Sequence, residues 1–454
     1  MLLLSFSSQS LTARTTHIIH GNAPYLTFDG GQTRVTDTTK LLGIILSDGR
    51  TFTANNNSSI TPIILPNLGE TLANVDMLVP IGADSISLTS IIGSPYNYWG
   101  DDDGDGQENN GISATGYLSL TITDKDNQTV SRNSTLDICR APYKITLTSN
   151  DGILSTQYGV PSSSHFTGSH ATYYINPNES SKVCFVAPIL FPGSNTEVNG
   201  IDFRGPPSIW LANKGFIPQS TTLSTYNLNF PTTGMHDLYF DLDIGGARVL
   251  TWDSVERGGI TATLIPDSTG SRVTVKLTGP SAKDFQLNSD LPGSVAKPVL
   301  PQTFELVGKD SQGNPLIKYG FQLKQWYVHR GANNYYTYPS TLSWCSNIGY
   351  RLPQIKDLTN AICAGPWWDE ECQGSVSATP SSNGNNFQRV IGGGFFSEWG
   401  QMDKYISSFY DNHNYWTIDF VETDRLSHFS VHSNNGHIAR HKNEVVLRGM
   451  CTTP

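Results

Sequence analysis

Gly100 to Gly111 reads GDDDGDGQENNG, which sets four aspartates and a glutamate in one short stretch with no lysine or arginine close in sequence. Like charges at this spacing repel unless a cation or bulk solvent screens them. Asp101, Asp103, Asp105 and Gly106 match the first half of an Asp-x-Asp-x-Asp-Gly calcium loop, in which hard oxygen ligands gather around a glycine turn. Ile112 stands where that motif places its bidentate Glu, so Glu108 or Asn109 completes a site only with a different geometry. The expectation is a structural calcium held by Asp101, Asp103, Asp105 and Glu108. The alternative is a solvated polar turn between strands.

The other reactive side chains gather late. His413, His428, His432, His437 and His441 could supply a base or metal ligands, but no Ser, Cys or acidic partner is tied to them by a recognised spacing. HSNNGH is not His-Glu-x-x-His, so a surface histidine array is expected rather than a catalytic centre. Gly392-Gly393-Gly394 lacks the following Lys-Ser/Thr of a phosphate loop. The chain reads as a non-enzyme.

Six cysteines divide evenly: Cys139 and Cys184 in the first half, then Cys345, Cys363, Cys372 and Cys451 near the end, with no Cys-x-x-Cys pair. That partition points to disulfides and an oxidising compartment, with buried free thiols as the alternative.

A chain of 454 residues suffices for several domains. Charged residues make up 15%, well under the usual quarter, and glycine is abundant at 42, as in turn-rich β protein. A formal charge of -10 argues against a nucleic-acid partner and against docking on an anionic membrane. No apolar run reaches the length of a spanning helix, so no direct membrane insertion is expected. The start, MLLLSFSSQSLTA, resembles a signal peptide only faintly, because its apolar part stops at Phe6 and no basic residue precedes it. It reads as a poor signal, or as a start inside a longer reading frame.

Period-two alternation broken by polar turns recurs along the chain. Gly116 to Cys139 predicts a strand, a DKDN turn and a return strand; Gly258 to Gly279 and Phe304 to Trp326 predict hairpins turning near Gly270 and Gly313. Such patterning implies tandem Ig-like β-sandwich modules. After Gly331 helix patterns appear: Thr341 to Ile348, ended by Gly349, and a second helix opened by Pro353 with Ile355, Leu358 and Ile362 inward. Then NYWTIDF, HFSVHSNNG and EVVLRGMC read as three strands. The expected divisions are a poorly defined segment 1–22, β-sandwich modules with the acidic loop over 23–190, a β-rich module over 191–330, and an α+β head over 331–454.

In that last part WCSNIGYRLPQIKDLTNA, FFSEWG, NYWTID and the terminal VVLRGMC resemble the C-type lectin-like fold. FRGPPSIWLANKGFIPQS, NFPTTG, YFDLDIGG, GGITAT and YGFQLKQWYVHRG resemble the adhesion region of invasin and intimin-like surface proteins of enteric bacteria. YWGDDDGDG and APYKITL, with DGILSTQYGVP, are similar to the stretch preceding that region. The resemblance implies an extracellular, monomeric passenger of β modules tipped by a lectin-like head that binds a host-cell surface protein or glycan. It further implies attachment at the bacterial surface through an outer-membrane barrel, which this chain does not contain. Within the head it implies disulfides Cys345 to Cys451 and Cys363 to Cys372, with Cys139 pairing to Cys184.

Lectins of this type use Glu-Pro-Asn or Gln-Pro-Asp with a following Trp-Asn-Asp. Neither tripeptide occurs after Gly331, and Trp416-Thr417-Ile418-Asp419 keeps only the Trp and one Asp, which favours protein contact or calcium-independent carbohydrate binding. Arg-Gly-Asp is absent. A phage tail receptor-binding tip is a further alternative, but heptads and fibre repeats are missing. The expected contact is the loop CAGPWWDEEC, where Trp367 and Trp368 stand on a short closed loop, extended by Tyr335, Tyr336 and Tyr338.

Overall fold

In the strand Tyr143–Ser149 alternate side chains, Tyr143, Ile145 and Leu147, are buried, as a half-buried strand requires. The same alternation recurs throughout a computed structural model that describes residues 20–35, 37–53, 59, 61–104, 111–190, 195–246, 249–331, 334–365, 370–405 and 413–454. The protein is mainly β, built of sandwich modules. It divides into two units, Met1–Ser180 and Ser181–Pro454.

The first unit holds a five-stranded sheet in the order Ile63–Ile64, His170–Asn176, Tyr143–Ser149, Tyr117–Thr123, Ser85–Ser87. A three-stranded sheet follows the order Ser163–Phe166, Gly152–Thr156, Ile112–Ala114. Leu118, Ile145, Leu154 and Tyr173 fill its core. The expected return strand before Cys139 does not form as such. After the turn only Thr123 and Thr129 bridge, and Tyr117–Thr123 pairs instead with Tyr143–Ser149 and Ser85–Ser87. Arg132 explains the departure: its buried guanidinium donates to the carbonyls of Leu72, Val75 and Val79, so this stretch ties down a loop rather than extending a ladder.

In the second unit a seven-stranded sheet runs Trp210–Leu211, Gly215–Phe216, Lys182–Ala187, Tyr239–Gly245, Arg272–Thr278, Ile260–Pro266, Val255–Arg257. A three-stranded sheet of Thr251–Trp252, Gln302–Lys309 and Pro315–Leu323 meets it through Phe240 and Phe321, whose ring centroids lie 5.8 Å apart. Both hairpins read from the sequence are present here.

The remaining residues add the strands Asn414–Val421, Asp424–His432 and Ile438–Lys442 and the helices Tyr338–Asn347, Ile355–Leu358 and Phe395–Trp399. A third sheet joins Thr233–Met235, Gln325–His329 and Met450–Thr453.

That third sheet alters the expected divisions. It takes one strand from before Gly331 and another from the C-terminus, and a single hydrophobic cluster runs from Val183 to Cys451. The step at 330/331 therefore does not separate cores. The boundary expected at 190/191 falls at Ser180/Ser181, because Lys182–Ala187 pairs with Tyr239–Gly245 inside the second unit.

The first helix of this region starts at Tyr338 rather than Thr341, since Pro339 fits the opening turn, and Gly349 follows it at φ 86°. The second is a single turn, Ile355–Leu358. Asn360, wholly buried, bonds the carbonyls of Pro380 and Gln388 and holds the chain out of helix beyond it.

Candidate functional site

The acidic loop is answered by a cation remote in sequence. Arg34 forms an ion pair with Asp102, its guanidinium lies 4.3 Å from the Tyr25 ring centroid, and the Tyr25 hydroxyl donates to Asp102 at 2.9 Å. The hydrogen bond to Asp102 raises the Tyr25 pKa. Asp103 accepts the Asn22 amide at 2.5 Å and lies close over Gly21, where a Cβ would meet the carboxylate at 1.7 Å and force it to shift. Asp105 and Glu108 lie outside the described residues. Among the described residues no cluster of three His, Cys, Asp or Glu side chains is arranged to hold a metal ion.

The cysteines are all oxidised. Cys345 is bonded to Cys451 and Cys363 to Cys372, while Cys139 and Cys184 are also in disulfide linkage.

The late histidines do not form the surface array expected of them. His428 is buried with its ring stacked on Tyr338 at 3.5 Å, and its Nδ1 meets Asn443 Oδ1 at 2.7 Å. His441 Nε2 faces the Asn414 amide at 3.4 Å, and His413 Nε2 meets the Tyr335 hydroxyl at 2.7 Å. His437 Nδ1 faces the Asn385 carbonyl at 3.3 Å. Burial lowers the pKa of His428 and His441, and holds His432 down at about 4. Two of them lie against the segment carrying Tyr335 to Tyr338: His428 under the Tyr338 ring and His413 at the Tyr335 hydroxyl.

The three tyrosines separate in role. Tyr335 is 43% exposed and lies over the buried Arg448 guanidinium, 3.9 Å from its ring centroid. Tyr336 is half-buried over Arg330 at 3.6 Å, and its hydroxyl donates to the Leu287 carbonyl at 3.1 Å. Tyr338 is core, edge-on to Trp416. Trp367 and Trp368 lie outside the described residues. The closing end of their loop, Glu370–Cys372, packs on the strand Ile438–Lys442.

Sequence reading missed the buried charges that fix this region. Arg389 is fully buried, donates to the carbonyls of Ile189, Ser397 and Glu398, and lies 4.8 Å from the Trp210 ring centroid. Burial pushes its pKa down to about 10. Glu398 is buried too; that raises its pKa, while hydrogen bonds from Thr232, Thr233 and Gly392 oppose the rise. The local signal for Glu398, a carboxylate amid FFSEWG, was present and had no legible partner.

No protein-family model matches the chain, and no match to a curated protein was found. Among solved structures it is similar to invasin, described as a bacterial integrin-binding protein, at 13% identity and a TM-score of 0.33, covering 75% of this chain and 51% of that one. It is also similar to a C-terminal 282-residue fragment of intimin in complex with the intimin-binding domain of the translocated intimin receptor. That match has 11% identity and a TM-score of 0.32 over 75% of this chain and 93% of that one. An EHEC O157:H7 intimin mutant matches at 12% identity and a TM-score of 0.26, over 50% and 89% of the two chains. The chain thus spans about half the length of the invasin chain.

Proposed function

We propose that this chain is the extracellular, non-enzymatic adhesive part of a bacterial surface protein, attaching to a host-cell surface protein through its C-terminal region. The observation that carries the reading is the closure of that region. Cys345 to Cys451 clasps its ends, and one hydrophobic core continues from it into the preceding sandwich. A rigid, oxidised body of this kind suits a binding tip, because little side-chain or loop entropy remains to be lost on contact. Tyr335, exposed and braced from beneath by Arg448, gives such a tip an aromatic anchor. The lectin-like character of the head and an outer-membrane barrel upstream belong to the same proposal and rest on the sequence resemblance.

Beads coated with the purified chain test it on epithelial cells. Attachment that survives enzymatic deglycosylation of the cells and is lost after protease treatment supports a protein receptor. Loss on deglycosylation alone would transfer the site to a glycan, and absence of attachment would overturn the adhesin reading.

A further inference from the structure

Two imidazoles of the C-terminal region each accept a backbone amide at Nδ1. His329 accepts from Gly331 at 3.0 Å and His432 from Asn434 at 3.3 Å. A peptide N–H can only donate, so both rings are held neutral with the proton on Nε2. In His329, which is buried, that proton points at the Tyr415 hydroxyl 2.9 Å away.

Both rings bear on the start of one strand. Tyr415 is the second residue of Asn414–Val421, and Asn414 pairs across to His432. The Asn414 carbonyl accepts the Arg448 amide at 3.0 Å, and Trp416 Nε1 donates to the Tyr336 carbonyl at 2.9 Å. His413, just before this strand, holds the Tyr335 hydroxyl.

We infer that His329 and His432 form an acid-sensitive latch, in which a proton arriving at either Nδ1 turns an acceptor into a donor facing an amide N–H and loosens the start of Asn414–Val421. The charged surroundings agree. Facing His329 are the Tyr415 phenol and the Arg448 guanidinium, and burial first, then Arg448, holds its pKa down at about 3. Facing His432 are His437 and His413, which oppose its charge, and Asp403, which favours it but is itself paired to Lys404 at 2.8 Å. Burial is the leading cause there too, with a pKa of about 4.

Folded values below the ordinary imidazole value mean that the opened form binds protons the closed form refuses. Latch stability is therefore complete above about pH 6.5 and falls as pH drops from there towards the folded values. By pH 5 the opening equilibrium of each histidine rises about thirtyfold.

Hydrogen–deuterium exchange of the full chain at pH 7.5 and pH 5.0, corrected for intrinsic exchange rates, tests the latch on the wild type, His329→Asn and His432→Asn. Asparagine places an acceptor oxygen near the Nδ1 position and does not titrate. Wild-type peptides covering 325–331 and 413–437 should open at least about thirtyfold more at pH 5.0, relative to the first unit, and each variant should lose its share of that rise. If His329→Asn fails to fold, His432→Asn decides alone. Equal opening at both pH values, or an undiminished rise in the variant, overturns the inference. This measurement uses no partner, so the latch and the proposed function can fail separately.

Discussion

Glu398 accepts both the amide and the hydroxyl of Thr233 through Oε2, at 3.0 and 2.6 Å, across a sequence separation of 165. Its Oε1 takes the Thr232 hydroxyl at 2.7 Å and the Gly392 amide at 2.8 Å. The strand Thr233–Met235 and the helix Phe395–Trp399 are thus pinned by one fully buried carboxylate. Glu398→Gln turns an NH2 group towards these donors and should cost about 3 kcal/mol. Urea unfolding is the measurement, and a variant as stable as the wild type would remove the pin from this account.

Cys345 and Cys451 close a loop with a sequence separation of 106. Loop-closure reasoning gives such a link about 5 kcal/mol, more than the short Cys363 to Cys372 loop contributes. A Cys345→Ser, Cys451→Ser double variant should unfold the second unit at lower temperature while the first unit melts as before. Non-reducing peptide mapping checks the starting state, and a Cys345 to Cys372 peptide would sink the pairing.

What could be read from the sequence was local. The hairpins Ile260–Pro266 with Arg272–Thr278 and Gln302–Lys309 with Pro315–Leu323 announce themselves by alternation and a glycine at the turn. The helix ending before Gly349 does so by its stop signal. What could not be read depends on partners far along the chain. Arg34 meets Asp102 over a separation of 68, and Thr233 meets Glu398 over 165, with no motif linking either pair. The step at Gly331 was a real change of texture without being a division, because Gln325–His329 pairs with both Thr233–Met235 and Met450–Thr453. The histidines were legible as a group, but their burial follows from sheet register, which composition does not encode.

Calcium at the acidic loop remains a proposal for Asp101, Asp103, Asp105 and Glu108. If these acids hold the ion only when folded, millimolar calcium raises the melting temperature of the first unit by mass action, and Asp103→Ala abolishes the rise. A flat titration would leave Arg34 as the counter-charge of the loop. In that case Arg34→Ala should cost less than about 1 kcal/mol, because the pair is largely exposed.

Tyr335 and Tyr338 separate contact from packing three residues apart. Tyr338 is buried against His428 and Trp416, so Tyr338→Ala should cost about 3–4 kcal/mol and weaken attachment only by unfolding the region. Tyr335 is exposed above Arg448, so Tyr335→Ala should move stability by less than about 1 kcal/mol yet reduce attachment to epithelial cells at least tenfold, as expected of an aromatic anchor. Trp367→Ala and Trp368→Ala belong in the same series. A contact tryptophan loses attachment with its melting intact, whereas a core tryptophan melts early by about 3–5 kcal/mol. Normal attachment by Tyr335→Ala and by both tryptophan variants would move the receptor contact away from these three residues.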